Sequence, residues 1–159
     1  MNIVSIKADQ GQQDFLLKED DKAVLKLRYK NDLHVARVET EKERRVLIIE
    51  DEGLLRILMV LKNEYGVRIG SLNYDNFSIT NGTVDIENTK YRFSVSQAVS
   101  PELKIYKGTR RNLIYSCSIL REDNSSKITL ASLIIAVSWY LFLKEERKTQ
   151  HAFHEVVIL

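Results

Sequence analysis

Apolar and polar residues alternate with period two over most of the chain. Residues 23–30 set the pattern: Leu25, Leu27 and Tyr29 point one way while Lys26, Arg28 and Lys30 point the other. Tyr91, Phe93 and Val95 repeat it against Arg92 and Ser94. The first set of each is predicted to face a core and the second water. Turn-type residues separate such segments: Asn31-Asp32, Glu41-Lys42-Glu43, Glu52-Gly53, Asp75-Asn76, Asn81-Gly82, Asn88-Thr89, Ser100-Pro101 and Gly108. Asn81-Gly82 is the sharpest of them, since a tight hairpin turn favours positive φ at both central positions. The unbroken apolar run Val46-Leu47-Ile48-Ile49 predicts a strand buried on both faces, and residues 54–61 fit either a strand or a helix. Further strands are expected at 33–40, 66–74, 83–87, 90–96, 103–107 and 113–119, with a last short one at 155–159.

Residues 128–143 carry no charge at all. A helix apolar on every side must be enclosed, by protein or by lipid. Sixteen residues reach about 24 Å at 1.5 Å each, short of the roughly 20 apolar residues that a hydrocarbon core requires. Length therefore favours a plug inside the β structure over a membrane span, with Asn124, Ser125 or Ser126 as the cap. Ala136, near the middle, is expected at a tight contact. The fold class that follows is mainly β (α+β): a closed or nearly closed antiparallel β-barrel of about ten to twelve strands around one hydrophobic C-terminal helix, residues 128–147.

Composition narrows the functional classes. At 44% hydrophobic and 29% charged residues the chain has enough apolar surface to fold, and 159 residues suit one domain. It is read as a single domain over 14–159 preceded by a flexible segment, 1–13. A net charge of +2 speaks against nucleic acid as a partner. The single cysteine, Cys117, rules out an internal disulfide and suits a reducing compartment. Residues 1–13 hold no apolar run, so no secretory signal is expected and a cytoplasmic address follows.

The best candidate for chemistry is the basic strand face Lys26, Arg28 and Lys30, with Arg37 expected opposite Lys26 across the hairpin. Several fixed cations on one face suit a phosphorylated headgroup or an anionic membrane surface. Their bland reading is a solvated outer wall, where lysines discourage edge aggregation. Lys107, Arg110 and Arg111 form a second basic turn. His34, His151 and His154 are too few and scattered for a metal site, and His34 is expected on the core side of its strand. Cys117 reads as a buried, inert thiol. There is no nucleophile elbow and no phosphate-binding glycine loop, so neither a catalytic site nor a cofactor is expected.

A strand meander followed by one wholly apolar helix resembles the tubby C-terminal-like superfamily, which includes the LURP-one-related proteins and the phospholipid scramblases. Tyr65-Gly66-Val67-Arg68-Ile69-Gly70-Ser71-Leu72 and Asn88-Thr89-Lys90-Tyr91-Arg92-Phe93 are the closest local similarities. The resemblance implies a barrel enclosing a hydrophobic helix. It also implies a non-enzymatic module that binds anionic phospholipid headgroups or a protein partner at a membrane surface. Two features depart from the scramblases. Glu122-Asp123-Asn124 lacks the alternating oxygen ligands of a calcium loop, and no cysteine cluster is present for palmitoylation. The alternative is a β-rich domain tethered by residues 128–143 as a single span.

Overall fold

The computed structural model describes residues 2–9, 11–53, 58–75, 78–121 and 130–157. Eleven strands run in chain order: β1 (Asn2–Asp9), β2 (Gln12–Glu19), β3 (Lys22–Lys30), β4 (Val35–Thr40), β5 (Arg44–Glu52), β6 (Leu58–Lys62), β7 (Arg68–Asp75), β8 (Ser78–Ile86), β9 (Thr89–Val95), β10 (Glu102–Lys107) and β11 (Leu113–Arg121). One helix, α1 (Ala131–Val157), follows. Each strand pairs with its chain neighbours, and β1 pairs with β11 to close the barrel. Ten of the pairings are antiparallel. The eleventh, β1 with β11, is parallel. Strand count dictates this: in an up-and-down meander an odd number leaves the first and last strands running the same way. The barrel is therefore mixed, where alternation alone predicted a fully antiparallel one.

The alternating residues expected to face the core do so: Leu25, Leu27, Tyr29, Tyr91, Phe93 and Val95 are buried, as is Val38 on β4. Lys26 and Arg28 are exposed, while Lys30, Arg92 and Ser94 are half-buried on the outer face. Five expectations are corrected. Residues 1–13 are not a loose segment, because β1 pairs along its whole length with β2 and buries Val4 and Ile6. On β5 only Leu47 and Ile49 are buried, so this run is one-sided like the others. Asn81-Gly82 lies inside β8 and makes no turn, while the turn expected at Asn88-Thr89 falls one residue earlier, at Glu87-Asn88, both with positive φ. His34 is exposed, because the connection between β3 and β4 spans residues 31–34 and His34 supplies its left-handed position, φ 52°. At the C-terminus residues 155–157 continue α1, with no strand. The proposed helix cap, the Glu122-Asp123-Asn124 segment and residues 54–57 lie outside the described residues.

Residues 131–139 of α1 are buried without a break, which takes in every face of two and a half turns. They form one core with the inward side chains of the strands. Ala136 is 1% exposed. The apolar helix thus fills the barrel, and no helix among the described residues is long and apolar enough to cross a membrane. From Leu143 onward α1 leaves the barrel. Two glutamates fasten it there in mirrored fashion. Glu145 of α1 accepts from Lys107 Nζ at 2.9 Å and from the Tyr91 hydroxyl at 3.4 Å, both on the barrel. Glu19 of β2 accepts from the Tyr140 hydroxyl at 3.5 Å and meets Lys144 Nζ at 3.8 Å, both on the helix.

The core is rich in groups that resist ionisation. Burial, helped by Asp51, pushes the Tyr74 hydroxyl up to about 12, and burial, helped by Glu102, pushes the Cys117 thiol to about 12. Tyr91 and Tyr115 are raised as well, chiefly by burial. A group whose pKa is raised on folding contributes stability below its unfolded value and loses it as pH climbs through the folded value. Stability should therefore hold at neutral pH and fall from about pH 9–10 upward, as the unfolded chain sheds protons that the native core keeps. Each such group withdraws about 1.4 kcal/mol per pH unit in that window. Urea midpoints measured from pH 7 to pH 11 check this; a flat profile would contradict it.

Candidate functional site

Alternation along β1–β5 turns the core residues inward and leaves their neighbours on the outer wall. Cross-strand register then arranges those neighbours in rows. One row runs Lys7, Asp14, Arg28, Arg37, Val46. The next runs Leu16, Lys26, Glu39, Arg44. Together they line a concavity of about 620 Å³ on the wall, which Arg45 also borders. Six cations surround it against two carboxylates, Asp14 and Glu39, with Leu16 and Val46 as its apolar floor.

The cations are unequally matched. Arg28 Nε donates to Asp14 Oδ1 at 3.0 Å, and Arg44 approaches Glu39 Oε1 at 3.5 Å. Arg45 lies 3.4 Å from Glu64. Among the described residues Lys7, Lys26 and Arg37 have no carboxylate partner. Arg37 stands directly opposite Arg28, a like-charge cross-strand pair that Asp14 compensates only on the Arg28 side. Six cations against two carboxylates leave the concavity net positive, and the Arg37 fork with Lys7 and Lys26, none of them within ion-pair distance of a described carboxylate, suits an oxyanion.

Lys26, Arg28 and Arg37 are thus brought together as expected, but Lys30 is not among them. It sits one row further on, half-buried between Gln12 and Val35. Arg37 faces Arg28 instead of Lys26, because the four-residue turn shifts the hairpin register by two from that of a two-residue turn. A shift of two keeps the same side outward. Lys7 and Arg44 join the site from strands distant in sequence.

The second basic turn does not gather into a site. Lys107 is committed to Glu145, and Arg110 lies 3.7 Å from Asp75, which Arg92 also approaches at 3.9 Å. Arg111 is exposed in the turn. Cys117 is buried, its thiol raised as described. No group of three His, Cys, Asp or Glu side chains among the described residues is placed to hold a metal ion. No family model matches the chain, and neither the curated proteins nor the solved structures hold a match to it.

Proposed function

We propose that the protein is a non-enzymatic binding module whose basic concavity takes an anionic lipid headgroup at a membrane surface. The observation that carries this reading is the Arg28–Arg37 pair, opposed across β3 and β4 with Lys7 and Lys26 left free beside it. Asp14 offsets the charge of Arg28 alone, and an oxyanion beside Arg37 would offset the rest. The barrel-and-helix plan, which resembles that of tubby-like domains, supports the same reading. A cytoplasmic address at the membrane periphery belongs to it.

Replacing Lys26, Arg28 and Arg37 together by Gln tests it. Each basic residue near an anionic surface contributes about 1 kcal/mol, so the triple variant should bind vesicles of phosphatidylcholine and phosphatidylserine about a hundredfold more weakly. Wild-type flotation with those vesicles should fall as salt rises, and the variant should show a flatter dependence. Folding should change little, because all three side chains are exposed and exposed ion pairs contribute about 0–1 kcal/mol. Undiminished flotation of the triple variant would remove the concavity from consideration.

A further inference from the structure

The two ends of the barrel differ in chemistry. Because strands alternate in direction, the turns β2–β3, β4–β5, β6–β7 and β8–β9 lie at one end with the exit of α1. Those turns hold Asp20, Asp21, Glu41, Glu43, Glu64 and Glu87 against one cation, Lys42. The β10–β11 turn at that end adds Arg110 and Arg111. At the opposite end the described turn residues are 11, 31–34, 53 and 96–101, and Asp32 is their one formal charge. Among its described turn residues two apolar side chains stand out, Leu33, 59% exposed, and Val99, fully exposed, and Ile79 at the start of β8 is exposed beside them.

Leu33 is set in an ordered turn. Its amide donates to Asp32 Oδ1 at 3.1 Å, and His34 holds a left-handed backbone next to it. Cations surround that turn. Lys30 ends β3 beside it, while Lys7, Arg28 and Arg37 each lie two residues in from the same end of their strands. A single exposed leucine needs no explanation. A leucine at the tip of a fixed turn, next to a net-positive wall and on the end away from the acidic turns, has the make-up of an interfacial anchor.

We infer that the protein docks on an anionic bilayer by the β3–β4 corner, with Leu33 inserted among the acyl chains and the basic row against the lipid phosphates. The inference rests on the headgroup reading above and adds to it an orientation and an inserted residue. The acidic turns at the other end then point away from the negative surface, which repels them. The occupant is a lipid bilayer, since a free phosphate would use the cations and leave Leu33 in water.

Two tryptophan reporters decide it. Leu33→Trp places an indole at the proposed anchor. Tyr65→Trp places one in the turn at the other end, where Tyr65 is 84% exposed. The native Trp139 is buried in the barrel and supplies a constant background. With phosphatidylcholine–phosphatidylserine vesicles carrying brominated acyl chains, Leu33→Trp fluorescence should shift to the blue and be quenched, and Tyr65→Trp should show neither change. Leu33→Asn should weaken vesicle binding roughly tenfold with an unchanged thermal midpoint. Equal or absent quenching of the two reporters, while wild type still binds vesicles in a salt-sensitive way, would overturn the orientation and leave the headgroup reading intact. Failure of wild type to bind anionic vesicles would overturn both.

Discussion

Ala136→Arg should abolish the folded state. Ala136 sits midway along the stretch of α1 that is buried on all faces, so the guanidinium cannot reach water without withdrawing the helix. An unpaired buried charge belongs to the class of substitutions that cost more than about 4 kcal/mol, against a total stability of about 5–15. Deleting the helix should be equally severe. Residues 1–127 keep all the strands and lose their filling, so the wall would enclose an empty apolar space. Circular dichroism should show no cooperative thermal transition for either protein. A cooperative transition for residues 1–127 would mean that the barrel is stable hollow, and the helix would lose its structural role.

Gly82→Val should give the next largest effect. Gly82 occupies an inward position on β8, between Tyr74 of β7 and Phe93 of β9. Those two rings meet edge-on, their centroids 5.8 Å apart at 85°. The contact exists because nothing projects from residue 82. A Cβ there would come within 2.7 Å of Phe93 Cζ and run into the backbone carbonyl of Asn73. Overpacking costs about 1–3 kcal/mol and the loss of an edge-to-face pair about 0.5–1.5, so the variant should lose about 2–4 kcal/mol. Urea denaturation measures it. Adding Phe93→Leu should recover only part of the loss, because the Asn73 carbonyl cannot move aside.

Gly82 also shows why one strong local signal misled. Asn-Gly favours a tight turn by its backbone freedom, but here glycine is needed for its missing side chain, a demand set by strands that only the fold brings together. Period-two alternation succeeded on β3 and β9 because one side faces the core and the other solvent throughout. Val46 and Ile48 defeated the same logic. Both are apolar yet lie on the outer side of β5, where Val46 forms the floor of the concavity. In β1 the signal was present, with Val4 and Ile6 alternating with Ser5 and Lys7, but it is short. At the other terminus Val156 and Val157 favour a strand by propensity, and the helix already running from Ala131 overrides them. Of the concavity, Lys26, Arg28 and Arg37 were legible because a hairpin is a local structure. Lys7 and Arg44 became neighbours only through pairing across β1–β2 and β4–β5.

The parallel pairing of β1 with β11 also sets an order of events. β1 can hydrogen-bond β2 as soon as a hairpin forms, yet its other edge must wait for residues 118–121, more than a hundred positions later. The helix that fills the barrel comes later still. Any sheet paired before then would carry two free edges and an uncovered apolar face, features that expose a chain to aggregation. Closure of the seam and entry of α1 must come together, because neither a hollow ring nor an unwrapped apolar helix is a resting point in water. Contacts this distant in sequence make folding slow, in the range of milliseconds to seconds, and commitment to the native state has to wait until α1 has been made.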